Sequence, residues 1–163
     1  MWDPKVSKLS RAGLIGAAYV ALTLAFAPIS YGAVQFRVSE VLTLFPFLWP
    51  EAAAGLVVGC LISNLLGGLG WVDVVFGTLA TGLAAYLTMR ARNEYWAALW
   101  PVLVNGLVVG GYLSILLGMP WYLSMAYVAV GEAGVCFGLG VPLVKALRAM
   151  PLVSRLVPPR GGQ

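Results

Sequence analysis

The segment Gln35-Phe36-Arg37-Val38-Ser39-Glu40 sets a cation and an anion one helical turn apart, after 25 residues, Ala12 to Phe36, that carry no charge. The next charges are Glu51 and Asp73, and Glu132 is the only charge between Glu94 and Lys145. An ionisable group at membrane depth costs roughly 2.5–3.5 kcal/mol on insertion scales, so such groups usually face a cavity and act there. Arg37, Glu40, Asp73 and Glu132 are therefore the first candidates for a site. Asn64 and Asn105 add amides that both donate and accept. Tyr112 and Tyr127, with Trp71, Trp121 and Tyr122, add aromatic surface. Histidine is absent, which removes imidazole catalysis, the Ser-His-Asp arrangement and the usual histidine metal sites. Three carboxylates can serve as acid and base, but nothing places a nucleophile or a metal beside them, and no cofactor is implied. Binding is the reading carried forward.

The elements that must position these residues are membrane helices. The 163 residues are 61% hydrophobic and 10% charged, with a mean hydropathy of +0.91, whereas a soluble domain carries about 25% charged residues. Backbone groups in lipid must pair internally, which leaves helix bundles or closed barrels. Continuous rather than alternating apolar runs select helices. One domain of six spans is expected: Leu9 to Ala27, Phe36 to Leu48, Ala52 to Leu66, Val72 to Met89, Tyr95 to Leu117 and Trp121 to Leu147, with a polar tail over 150–163. The second is too short to cross a core of about 30 Å upright, so it should be buried against its neighbours. Ala25-Phe26-Ala27 resembles a signal-cleavage site, but Pro28 immediately after it disfavours cleavage. Cys60 and Cys136 lack any cluster spacing and read as small buried residues.

The net charge of +4 comes mainly from Lys5, Lys8 and Arg11, from Arg90 and Arg92, and from Lys145, Arg148, Arg155 and Arg160. With six spans all three clusters fall on one side, which the positive-inside rule makes cytoplasmic together with both termini. No aromatic-interleaved basic surface outside the spans suits a nucleic acid; the partner these clusters address is lipid. On this topology Arg37, Glu40, Asn64, Asp73, Asn105, Tyr112, Tyr127 and Glu132 all belong to the outward half.

Each candidate has a plainer reading. Arg37 and Glu40 can be a helix-end ion pair, although Arg before Glu is the poorer order and a cation opposes the dipole at an N-terminus. Asp73 can be an ordinary first-turn charge, the asparagines interhelical glue, and the aromatics an interfacial belt. Glu51 and Glu94 read as solvated charges at cytoplasmic turns. Gly13, Ala17, Ala21 and Ala25 recur every four residues and form a small-residue ridge, which lets another helix approach closely, from the same bundle or from a different membrane protein.

Val34 to Pro46, Gly59-Cys60-Leu61-Ile62-Ser63-Asn64 and the run Asp73 to Ala80 resemble QueT-type S components of energy-coupling factor transporters. The most specific part is Gln35 to Glu40 followed by Leu44-Phe45-Pro46, and the family's A-x-x-x-A pattern is matched by Ala17 and Ala21 or by Ala21 and Ala25. The resemblance implies a six-helix, multi-pass subunit of the cell membrane that binds a small molecule from outside. It also implies docking through the first span on a transmembrane coupling subunit, with ATP hydrolysis left to two partner ATPases. The absence of a G-x-x-x-x-G-K-[ST] loop agrees with that division of labour. The implied substrate is a queuosine precursor, 7-aminomethyl-7-deazaguanine, with a donor-rich purine-like edge and a cationic arm. If Arg37 neutralises Glu40, Asp73 and Glu132 remain for such a ligand, Glu132 reading the edge with Asn64 or Asn105, and Glu40 or Asp73 meeting the ammonium. A thiamine-like cation on the same scaffold, and a membrane assembly subunit whose charges only lock helices, remain as alternatives.

Overall fold

A computed structural model describes residues 4–31, 35–154 and 157. Ala33 and Val34 of the first loop, and Arg155 and Arg160 of the tail, lie outside the described residues. Among the described residues the chain is helical throughout. In order it runs α1 (Pro4–Ala25), α2 (Ala27–Ser30), a 3-10 helix (Val38–Phe47), α3 (Ala52–Gly67), α4 (Asp73–Met89), α5 (Glu94–Leu117), α6 (Trp121–Ala149) and α7 (Pro151–Ser154). By length and composition α5 and α6 can each cross a membrane.

Local chemistry accounts for most of these limits. Asn93 caps α5, its side chain accepting from the amides of Tyr95 and Trp96 at 3.1 and 3.0 Å. Gly68 and Gly118 end α3 and α5 at φ of 77° and 64°, a conformation that disfavours a Cβ. Pro28 does not close the first helix as its type suggests. The chain turns at Phe26, and Pro28 sits in the first turn of the short α2, where its missing N–H costs nothing.

The expected second span is the 3-10 helix Val38–Phe47, with Arg37 still extended at φ −84° and ψ 101°. At about 2.0 Å per residue it reaches roughly 20 Å. It lies in the centre of the bundle, against α1, α3, α4, α5 and α6, with Ser39 to Leu44, Pro46 and Phe47 buried. Around it α1 packs on α3, α3 on α4, α4 on α5, and α5 on α6. The α1–α3 contact is made of small residues: a Cβ on Gly16 would lie 2.7 Å from the Gly55 carbonyl oxygen, and one on Gly55 would lie 2.1 Å from that of Ala12. The inward stripe of α1 is thus Ala12, Ile15, Gly16, Tyr19 and Thr23, while Gly13, Ala17, Ala21 and Ala25 point outward and are exposed.

Glu51 and Glu94 are not the solvated charges their turn positions suggested. Arg11 meets Glu51 at 2.5 Å, and Lys145 and Arg148 approach Glu94 at 3.8 and 3.6 Å. Folding brings the basic clusters back over these turns, so charges far apart in the chain find each other.

Candidate functional site

Two π-helical turns set the site. Asp73–Gly77 opens α4 and Cys136–Gly140 interrupts α6. Such single widened turns are rare and occur frequently at functional positions. The first carries Asp73 into the core, fully buried. Gly77 closes the same turn because the space beside it is taken: a Cβ there would lie 2.8 Å from Asn64 Nδ2, 3.1 Å from Asp73 Oδ1 and 3.2 Å from Tyr112 Oη.

Arg37 does not pair with Glu40. Because Arg37 precedes the 3-10 helix in an extended conformation, the helical-neighbour argument does not apply to it. Its guanidinium turns to Asp73 Oδ2 at 3.5 Å, donates to the Ser30 carbonyl at 3.3 Å, and stacks 5.3 Å from the Tyr31 ring. Asp73 also accepts from the Tyr112 hydroxyl, and its backbone carbonyl accepts from Asn64 Nδ2 at 3.0 Å. Tyr31 donates to the Ser63 carbonyl at 2.6 Å, and burial pushes its phenol above its ordinary pKa, which keeps it a neutral donor. This first cluster joins Asn64, Asp73 and Tyr112 from three helices with Arg37 from the extended segment before the 3-10 helix, and balances its own charge.

The second cluster is acidic. Glu40, 1% exposed, faces α1 and accepts from the Tyr19 hydroxyl. Glu132, 4% exposed, accepts from Asn105 Nδ2 at 2.9 Å. The Cys136 thiol lies 3.6 Å from the Glu132 carboxylate at Oε2 and 3.8 Å from the main-chain carbonyl oxygen of Glu40. Among the described residues no cation lies within ion-pair distance of Glu40 or Glu132. The pair left without a counter-charge is therefore Glu40 and Glu132, not Asp73 and Glu132. Buried polar atoms without a protein partner occur in both clusters: Glu40 Oε2 and Asn105 Oδ1 in the second and Asn64 Oδ1 in the first, with Gln35 Nε2 as a further unpaired donor.

Tyr127, 39% exposed, joins neither cluster. Trp71, Trp121 and Tyr122 are likewise exposed. Spacing did single out Arg37, Glu40, Asn64, Asp73, Asn105, Tyr112 and Glu132, all of which the fold gathers into these two clusters. It passed over Tyr19 and Gln35. Tyr19 carries a signal: it and Thr23 are polar at helical spacing in the middle of an apolar run, and Thr23 reaches Ser39 Oγ at 2.7 Å. Gln35 carries one only in the structure, as a buried non-glycine residue at φ 46°.

Known proteins support a transporter. A queuosine precursor transporter QueT from Lactococcus lactis subsp. cremoris (strain MG1363) is 38% identical over 89 residues, 51% of this chain and 52% of the relative. The chain thus spans about half the length of the curated relative it matches. No solved structure matches the chain. The QueT transporter family matches residues 9–149, which include α3 to α6, both clusters and almost all of α1, and the chain belongs to that family.

Proposed function

We propose that the chain is the substrate-binding S component of an energy-coupling factor importer, taking up 7-aminomethyl-7-deazaguanine from outside. It would cross the cell membrane six times with both termini cytoplasmic, the 3-10 helix serving as the short second segment. The observation that carries this reading is the second cluster. Among the described residues Glu40 and Glu132 have no cation within ion-pair distance, while Glu40 Oε2 and Asn105 Oδ1 are buried acceptors without donors. A buried acceptor left unpaired costs about 1–3 kcal/mol, so a ligand that supplies donors gains what the protein alone forgoes.

The proposed ligand offers what is missing. Its amino group and adjacent ring N–H are paired donors for Glu132, whose oxygens keep lone-pair capacity beyond Asn105 and Cys136. Its ammonium suits Glu40 Oε2. Asp73, held by Arg37 and Tyr112, is the poorer partner for that charge. A polyanion such as folate fits this charge balance badly.

The exposed ridge Gly13, Ala17, Ala21 and Ala25 is the proposed docking face for the transmembrane coupling subunit, with hydrolysis by two ATPase subunits. An apolar groove of about 360 Å³ along α1 and α3 runs beside it, lined by Gly13, Ala17, Val20, Val58 and Ile62 among others. Ala21→Trp should abolish co-purification with the coupling subunit and spare ligand binding; intact co-purification would remove this face from the interface.

The ligand assignment is tested by thermal unfolding of purified protein with 7-aminomethyl-7-deazaguanine, guanine, thiamine and folate. A ligand at a hundred times its Kd stabilises the native state by about 2.7 kcal/mol. A rise in Tm with the deazaguanine alone supports the reading. A rise with thiamine alone reassigns the scaffold to another cation, and no rise with any of them opposes a binding role.

A further inference from the structure

We propose a second site, separate from the buried clusters: the cleft where α4 turns into α5 binds the phosphate headgroup of an anionic phospholipid. The cleft measures about 340 Å³ and is lined by Arg90, Ala91, Arg92, Trp96 and Trp100. Among the described residues no carboxylate compensates its charge. Among the described arginines, Arg11, Arg37 and Arg148 lie 2.5, 3.5 and 3.6 Å from a carboxylate, whereas Arg90 and Arg92 meet none. The acid next in sequence, Glu94, is engaged by Lys145 and Arg148.

The cleft is also shaped before anything enters it. The Leu87 and Thr88 carbonyls accept from the Arg90 and Ala91 amides at 3.0 and 3.1 Å, and Ala91 is buried. This anchored turn holds Arg90 and Arg92 on either side of a fixed point. Arg90 stacks 4.4 Å from the Tyr86 ring, which aims its guanidinium without neutralising it. A planar guanidinium presents forked donors that match phosphate oxygens, and two of them beside one cleft suit a single phosphate.

The opposite wall selects a lipid over free phosphate. Trp96 and Trp100 face each other at 6.3 Å, and Trp96 is 47% exposed. Indole rings favour the headgroup level of a bilayer, where an apolar body and a polar edge are both accommodated. A glycerol backbone and the first acyl carbons would cover these rings. Inorganic phosphate would use only the arginines.

The test is native mass spectrometry of the full chain in neutral detergent, titrated with dioleoylphosphatidylglycerol or dioleoylphosphatidylcholine. Phosphatidylglycerol should bind preferentially. R90Q/R92Q should weaken that binding by about 30-fold, the effect of two basic side chains at an anionic surface, and leave phosphatidylcholine unchanged. R90K/R92K should recover only part of that loss, since an ammonium keeps the charge but not the forked donors. Equal retention of the two lipids, or unchanged affinity in R90Q/R92Q, would overturn the proposal, as would displacement of the lipid by equimolar inorganic phosphate. Should the double variant melt early, R92Q alone replaces it; Arg92 is exposed and makes no ion pair among the described residues, so its loss must still lower phosphatidylglycerol affinity with an unchanged Tm.

Discussion

The two buried polar clusters differ in what they need. Around Asp73, a guanidinium, a phenol and an asparagine amide converge, and charge is balanced within the protein. Around Glu132, only Asn105 and a thiol approach among the described residues, and a second acid, Glu40, stands nearby. Both are buried to a similar degree, so burial alone does not distinguish them. Satisfaction does. A buried ion pair that loses one member leaves a costly charge behind, which makes the first cluster a structural fastening. A buried acid with open acceptor capacity, and no cation within ion-pair distance among the described residues, is suited to an incoming donor, which makes the second the proposed recognition centre.

The clusters should therefore fail differently when altered. The largest effect is expected from Arg37→Ala, which strands Asp73 and should cost about 3–5 kcal/mol in unfolding experiments. Adding Asp73→Asn should recover part of that loss. A stable Arg37→Ala protein with normal unfolding would remove the fastening role. Gly77→Ala should follow, at about 1–3 kcal/mol, because its Cβ must displace the Asn64 amide 2.8 Å away; calorimetry reads this directly. In the acidic cluster, Asn105→Ala unpairs the buried Glu132 Oε1 and should cost about 1–2 kcal/mol of stability, less than Arg37→Ala, while weakening ligand binding about tenfold, the loss of one hydrogen bond to a charged group. A drop in Tm with unaltered affinity would reverse the roles assigned to the two clusters. The smallest effect belongs to Tyr127→Phe, which should alter neither Tm nor affinity, since the Tyr127 side chain stands apart from both.

Which features were legible in the sequence follows from the range of the interactions involved. Helices α3, α5 and α6 run from Ala52, Glu94 and Trp121, each at or within a residue of the expected start. Local signals mark these limits: Asn93 as a cap, Gly68 and Gly118 as left-handed stops, and Pro120 before α6. The buried acids and amides were legible because polar groups in apolar runs are costly wherever the chain goes. The partner of Arg37 was not. Three-residue spacing points to Glu40, but that inference needs both residues in one helix, and Arg37 is extended. The choice of Asp73, 36 residues away, depends on a π-helical turn that no short-range pattern announces. Glu51 and Glu94 show the same limit, since Arg11 and Lys145 reach them only through tertiary packing.

The central claim is that Glu132 anchors the ligand without holding the fold. Equilibrium binding of 7-aminomethyl-7-deazaguanine to the intact chain and to Glu132→Gln, alongside their unfolding curves, tests it most directly. Saturable binding by the intact chain, about 100-fold weaker in the variant at an unchanged Tm, is the predicted result, within the range for truncating one partner of a buried charged contact. Equal affinity in the two proteins, or a variant that loses binding only because it no longer folds, would contradict it.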